Sequence, residues 1–597
     1  MKTLLLLGAW MAPALLHAQS APTPLDPVIV TATGQPTPVA GTLAPLLVLD
    51  REEIARSQAS DLAELLRFFA GIELGRNGGP GATTSVFVRG GESNHTLVLI
   101  DGVRVNPATS GGAALQNIAP EMIERIEIVK GPRASLYGSD AIGGVINVIT
   151  RKASGGSSAE ASLRGGSDQT WDASLRGAYA GDGGSASLQA QHLRSNGFPA
   201  LEGFSDDTGY DRSSFNADAR LKLGTSTLGA QLWDASGEAE YYGFDPDDFS
   251  RVVVAQDYRN QVAAVDAAIP IAQALSATLR LSRMQDEIEQ RQNDDFIETV
   301  RNSVDGGLSW NGNAQRISAG ISATREEVRA SSFGTAIREH RDILSVRAQD
   351  ELSKGPHRLV LGATWSEYDG FGSRWDGNID YGYDLGASTR LIASAGTGFR
   401  APDATDRFGF GGNADLKPES ARNYELGWQQ QLGDAQRLDL RLFQSDVDDL
   451  INVLCDENFN CTAVNVDRYR NQGAELTYTL RHVDWSAILT GLVQDPTDRS
   501  TDTQLLRRAK RSVALKLNRQ FGRWNAGIDL LGSSSRPDFG GARLGGYGLV
   551  NLSGGLRLNE QTQLRLRVEN LLDKDYKTAA GFAQPGASAY LGISYRL

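Results

Sequence analysis

The chain has 597 residues and a net charge of −13. Past the first 20 or so residues it holds no run of about 18 apolar residues, which excludes a transmembrane helix but not a strand-built membrane protein, where only every second residue faces lipid. The acidic balance argues against nucleic acid as a partner, because phosphate binding needs clustered Lys and Arg.

The N-terminus begins Met1-Lys2, continues through a leucine-rich stretch over 4–16 and reaches His17-Ala18-Gln19. A positive start, an apolar core too short to span a bilayer and a small residue predict a signal peptide over 1–18, cleaved after Ala18. Residues 19–40 follow, with Pro22, Pro24, Pro27, Pro36 and Pro38, a composition that predicts an extended, mobile segment. Inside it Asp26, Pro27, Val28, Ile29, Val30, Thr31 and Ala32 form a β-prone island. Such an island can add as a strand to another protein's sheet edge, main-chain hydrogen bonds giving the affinity.

Residues 41–150 predict an α+β globule. Leu62, Leu65, Leu66 and Phe69 repeat at helical spacing after Ser60-Asp61 and stop at Gly71, and 51–57 reads as a second short helix. Short β runs over 97–100, 126–129 and 145–149 alternate with glycine-rich turns, most densely in GPRASLYGSDAIGG at 131–144. So much glycine and charge makes a poor free-standing core, and suits a polar globule held inside something larger. Within that turn, Arg133 and Asp140 are expected to pair with opposite charges on the globule or its container.

From about Ala159 to the C-terminus, in 151–597, the period switches to two. Leu275, Ala277, Leu279 and Leu281 alternate with Ser276, Thr278, Arg280 and Ser282; Leu564, Leu566 and Val568 alternate with Arg565, Arg567 and Glu569. A sandwich core would not tolerate the charged partners, whereas a wet or filled barrel lumen does. A strand-plus-turn unit of roughly 20 residues predicts about 22 antiparallel strands, the plugged class of transmembrane β-barrel. The last strand carries Leu591, Ile593, Tyr595 and Leu597 on one face, ending on a non-aromatic residue where such barrels usually end on an aromatic one.

Cys455 and Cys461 lie in CDENFNC with no His or further Cys nearby to complete a zinc site. In an oxidising compartment they are expected to form a short-loop disulfide, two free thiols being the alternative. Two neighbouring acidic stretches, at 204–211 and 240–248, add Asp206, Asp207, Asp211, Glu240, Asp245, Asp247 and Asp248, with Asp257 beyond them. Carboxylates at this density repel unless neutralised, and clustered oxygens suit calcium; a solvated acidic loop without an ion is the alternative. There is no HExxH, GxSxG or P-loop, and the histidines outside the leader are scattered, so an enzyme is not expected.

The pattern of 86–150 resembles the plug of TonB-dependent outer-membrane receptors and, among them, the cobalamin (vitamin B12) receptor family BtuB. Gly398-Phe399-Arg400-Ala401-Pro402 followed by Asn413–Glu419 (NADLKPE), and Asn570-Leu571-Leu572-Asp573-Lys574-Asp575-Tyr576, are similar to signatures shared across those receptors. The resemblance implies an all-β membrane protein, with an N-terminal α+β plug at 41–150 inside a barrel at 151–597. It implies that 26–32 is the TonB box, and that apical loops 77–85, 90–95 and 106–112 meet the ligand. Thr83, Ser85, Glu92, Ser110 and Gly111 occupy positions where cobalamin receptors touch substrate, Glu92 standing where an uncharged residue is usual. It also implies calcium-ordered outer loops, with Asp206, Asp207, the Tyr241 backbone carbonyl and Asp257 as the ligand set. Expected partners are TonB with its inner-membrane energising complex, a corrinoid, outer-membrane lipid and lipopolysaccharide, and a periplasmic substrate-binding protein, for a monomeric receptor. The rival is a ferric-siderophore receptor, whose anionic ligands favour Arg- and Lys-lined pockets. Haem is disfavoured because 403–412 contains no His. A transducer would need a folded domain ahead of the box, for which the stretch from Ala18 to Asp26 leaves no room.

Overall fold

Twenty-two long antiparallel strands close into one barrel, running from Gly156–Gly166 to Ser588–Arg596, and these two outermost strands pair with each other. The computed structural model describes residues 28–29, 31 and 37–597, apart from 132–133, 246, 294, 333, 456–460 and 467. The expected signal peptide therefore lies outside the described residues, as do Asp26, Pro27, Val30 and Ala32 of the box, and Arg133.

Closure follows from the alternation. Leu163, Leu175, Leu188, Leu281, Leu442, Leu566, Leu591 and Ile593 are exposed on the outer wall. At the alternate parity, Arg212, Asn216, Asp218, Arg441, Asn471, Glu475, Lys516 and Arg567 are buried in the lumen. A register slip of one residue would exchange the two sets, so the ladder has a single acceptable alignment. One patch departs from the expected polar lumen. Trp233, Ala235, Val262, Ala264 and Met284 face inward and join the core of the globule, so part of the wall is fastened by apolar packing.

Connections at the end that holds both barrel termini are short, such as 182–183, 224–225 and 522–523. At the other end they lengthen, reaching 401–418, 449–468, 499–510, 534–546 and 570–587. Some strands there run far past the roughly 9–11 residues that a bilayer needs. Ser226–Phe244 has 19 residues and Arg251–Ala272 has 22, so Glu240, Tyr241 and Asp257 sit on strands rather than in loops. The β-branched run Val252-Val253-Val254 pairs with Gly243, Tyr242 and Tyr241, continuing the ladder into what reads in sequence as a turn.

The plug fills the lumen. Its five-stranded sheet has the order Leu46–Leu49, Ile123–Lys130, Gly144–Thr150, Thr96–Ile100, Val103–Arg104, with the third and fourth strands parallel. A separate hairpin joins Ile72–Arg76 to Thr84–Val88. Helices Arg51–Ser57 and Leu62–Arg67 are each capped by an aspartate, Asp50 accepting from Glu53 N–H at 2.9 Å and Asp61 from Glu64 N–H at 2.8 Å. Contrary to the polar globule expected, Leu49, Ile54, Leu62, Leu65, Leu66, Phe69, Ile126, Ile128 and Ile146 form an apolar core. The glycines lie mostly in its connecting turns and leave that core intact.

Candidate functional site

The plug presents its apical loops to the end of the barrel with the long connections. Gly81 sits so close to barrel Tyr210 that a Cβ there would lie 2.1 Å from the ring, and its φ of +74° also demands glycine. Ala404 and Thr405 N–H, opening the short helix Ala404–Phe408 in loop 401–418, donate to Ala108 and Thr109 carbonyls at 2.9 and 3.0 Å. That loop is laced in turn to the hairpin Leu450–Cys455/Cys461–Val466: Ala463 N–H donates to Gly411 O at 2.7 Å and Lys417 N–H to Asn465 Oδ1 at 2.8 Å. Cys455 and Cys461 are register partners in this hairpin, and Cys461 is disulfide-bonded.

Of the expected ligand-facing residues, Thr83 and Ser110 are exposed and Ser85 is half-buried. Gly111 is buried with φ +71°, packed against Asn94. Glu92 is half-buried, and its Oε2 lies 2.5 Å from Arg508 Nη2, a barrel-loop residue. The mouth therefore offers hydroxyls and backbone, while its carboxylate is already paired.

Below the apices the plug is pinned by ion pairs, most of which join residues that no sequence pattern links. Arg89 Nε meets Glu475 Oε2 at 2.7 Å and Arg89 Nη1 meets Glu425 Oε2 at 2.6 Å. Lys130 also binds Glu475, and burial pulls its ammonium below the usual lysine range although Glu475 opposes this. His95 Nε2 is 2.5 Å from Glu419, which also binds Arg400 at 2.8 Å and accepts from Ile451 N–H at 3.0 Å. His95 Nδ1 accepts from Glu92 N–H at 3.2 Å, which leaves Nε2 as the protonated nitrogen. Asp140 pairs as expected, with Arg104. The legible signal for the wall residues is a charge at lumen parity, as at Glu475 within Tyr469–Arg481.

At the opposite, short-turn end, Val28–Ile29 pairs with Thr37–Pro38 in a two-residue ladder. Thr31 is fully buried: its N–H and Oγ1 donate to Glu127 Oε2 at 2.8 and 2.5 Å, Asn147 donates to Oγ1 at 3.0 Å and Tyr137 donates to its carbonyl at 3.1 Å.

The acidic stretches are arranged differently from an oxygen cage. Asp257 faces outward and takes two bonds from Arg291, at 2.7 and 2.8 Å; Arg291 also pairs with Glu238 at 2.6 Å. Asp206 and Asp207 are exposed, and the Asp206 carbonyl accepts from Tyr242 at 2.6 Å. Tyr241 is paired with Val254 in the ladder, its hydroxyl accepting from Gln292 at 2.9 Å. Among the described residues, no three carboxylate, His or Cys side chains converge in a way that could hold a metal ion. In this arrangement Arg291 supplies the neutralising charge for Asp257 and Glu238.

Comparison with known proteins agrees with this architecture. A family model described as TonB dependent receptor-like, beta-barrel matches residues 152–571, and one described as TonB-dependent Receptor Plug Domain matches 38–145. The chain is 30% identical to the vitamin B12 transporter BtuB of Photobacterium profundum, over 96% of this chain and 95% of that one. It is 28% identical to the vitamin B12 transporter BtuB of Vibrio vulnificus, over 97% of each. Among solved structures, a ferric enterobactin receptor of Pseudomonas aeruginosa superposes with a TM-score of 0.80 at 16% identity, covering 93% of this chain and 99% of that one. The copper transporter OprC superposes with a TM-score of 0.78 at 19% identity, covering 92% and 98%. At such identities these structures share the fold alone.

Proposed function

The chain belongs to the TonB-dependent receptors, outer-membrane proteins of Gram-negative bacteria, and within that family we propose that it imports cobalamin or a related corrinoid. The full-length likeness to vitamin B12 transporters carries the reading. The mouth supports it: Thr83, Ser85 and Ser110 offer neutral hydrogen-bonding groups, which suit a large ligand fringed with amides. Outer loops and plug apices would capture the ligand. TonB would engage the box at 26–32 from the periplasm and pull, rearranging the plug so that the ligand passes to a periplasmic binding protein.

A ferric-siderophore receptor is the second reading, because solved structures of the same fold include such receptors. Anionic chelates call for free guanidinium or ammonium groups. At this mouth Arg507 is held by Asp538 at 2.7 Å and Arg508 by Glu92 at 2.5 Å, so neither of these two is free for a chelate. Calcium ordering of the acidic loops is a separate proposal, and it requires Asp257 to exchange Arg291 for the ion. Titration of the purified receptor with cyanocobalamin and, in parallel, with a ferric catecholate separates the readings. Binding of the chelate without cobalamin binding would overturn the corrinoid assignment.

A further inference from the structure

Arg508 is a barrel-loop arginine turned into the plug instead of toward solvent. It comes from loop 499–510, between the strands Trp485–Asp498 and Arg511–Phe521, and its side chain is only 5% exposed. The guanidinium lies 4.1 Å from the ring centroid of Phe87 and reaches Glu92. Both are plug residues, one on the strand Thr84–Val88 and the other in apical loop 90–95. The residues on either side reach the plug as well. Arg507 Nη1 donates to Asn77 Oδ1 at 3.0 Å, and Ala509 N–H donates to Glu73 Oε2 at 2.6 Å. Three consecutive residues of one loop thus grip the hairpin on its two arms and at its turn, together with the loop that follows it.

In an extended segment, neighbouring side chains point to opposite faces. Here Arg507 adopts φ +61°, a left-handed conformation that non-glycine residues hold only where their surroundings impose it. That bend lets Arg507 and Arg508 both face the plug. The loop is braced from behind: Arg507 N–H donates to Pro537 O at 2.7 Å, and Gln494 and Gln504 side chains donate to the Ala509 and Arg508 carbonyls at 2.8 and 2.6 Å. Asp538, buried, accepts from Arg507 Nε at 2.7 Å and from Ala580 N–H at 2.6 Å, tying loops 499–510, 534–546 and 570–587 into one frame.

We infer that residues 507–509 are a clasp that positions the ligand-facing arm of the plug, with Arg508 as the positioning residue and Glu92 as its plug-side partner instead of a ligand contact. The ligand-facing part rests on the proposed reading that Thr83 and Ser85 meet a corrinoid. A clasped hairpin holds those hydroxyls in place before the ligand arrives, so less ordering entropy is lost on binding. The paired Glu92 and Arg508 together bring no net charge to the mouth.

The test uses the full-length purified receptor and the variants Arg508→Met, Glu92→Gln, their double, and Arg508→Lys. Cyanocobalamin affinity is measured alongside amide hydrogen exchange over 72–95 in the ligand-free protein. Each single neutral variant should weaken binding about tenfold, and the double should be no weaker than the worse single, because the two side chains act as one unit. Exchange over 72–95 should rise in Arg508→Met while the central plug strand at 144–150 keeps its protection, and Arg508→Lys should restore part of it. Losses that multiply in the double variant would make Glu92 a ligand contact and overturn the assignment, as would unchanged exchange in Arg508→Met. A receptor that binds no cyanocobalamin, yet shows the rise over 72–95, would refute the corrinoid reading and uphold the clasp.

Discussion

Arg89 of the plug and Glu475 of the barrel wall meet Nε to Oε2 at 2.7 Å, with side chains only 6% and 4% exposed. Lys130, on another plug strand, shares the same carboxylate. Removing Glu475 leaves two buried cations with Glu425 alone to balance Arg89. We predict that Glu475→Ala costs about 3–5 kcal/mol of plug docking, the range for stripping one partner from a buried pair. Cells carrying it should become sensitive to a bulky antibiotic that the intact barrel excludes, and adding Lys130→Met should recover part of the barrier. Unchanged permeability in Glu475→Ala would show that the pair does not hold the plug.

Deleting residues 28–31 should abolish uptake while leaving surface binding of ligand intact, because strand addition to TonB is needed only for release. A deletion mutant that still transports would refute the box. Thr31→Val, which keeps the shape but loses the hydroxyl bonds to Glu127 and Asn147, should cost about 1–3 kcal/mol and raise protease cleavage within the tail of the resting receptor.

The calcium proposal makes a demand on Arg291. Chelation should lower cobalamin affinity by about tenfold or more if an ion orders the outer loops. An Asp206→Ala, Asp257→Ala double variant should bind weakly and ignore calcium. Equal affinity with and without the chelator would leave Arg291 as the partner of Asp257 and end the metal claim.

Glu73 gives the clasp a pH dependence. Burial pushes its carboxyl up to about 7, against the opposing pull of the Ala509 N–H and the Arg536 and Arg508 charges. A raised folded value means that the docked state binds the extra proton. Its stabilisation is therefore fully present below the unfolded value near 4.5 and is lost as pH rises through about 7. Hydrogen exchange over 72–95, corrected for its intrinsic pH dependence, should report a looser hairpin at pH 8 than at pH 6. Glu73→Gln keeps the oxygen that accepts from Ala509 and should flatten that difference, which amounts to about 1.4 kcal/mol between pH 6 and pH 8 for a carboxyl raised from 4.5 to about 7. A wild-type profile already flat would refute the linkage.

The barrel was legible because its code is local. Leu566 outside and Arg567 inside need only period two, and the strand count follows from chain length. The plug strands were legible for the same reason, as runs of Ile and Val between glycines. What joins plug to wall was not legible. Arg89 and Glu475 are separated by 386 positions, and parity says only that Glu475 faces the lumen, not what it meets there. In sequence Asp257 looks like a loop carboxylate, because an acidic stretch resembles a turn, while the ladder through Val252-Val253-Val254 carries it onto an outward strand face. Arg508 gave no signal at all, since a loop arginine is ordinarily solvated and its burial depends on Phe87 and Glu92 arriving from the other domain.

The strand Ile123–Lys130 carries two attachments of opposite kind. At Glu127 it grips Thr31 of the N-terminal tail, and at Lys130 it is moored to Glu475 of the wall. The two points are separated by about 10 Å of extended backbone, at roughly 3.3 Å per residue. Tension entering through the tail would load this short rod at Glu127 together with Asn147 and Tyr137, which also hold Thr31. Neighbouring strands Leu46–Leu49 and Gly144–Thr150 flank that rod on both sides, so it would have to slide against two ladders at once. Breaking several hydrogen bonds together in shear resists far more force than peeling them one at a time. The tail's own grip, a handful of bonds around one threonine, is the weaker mechanical element and would yield before the sheet does.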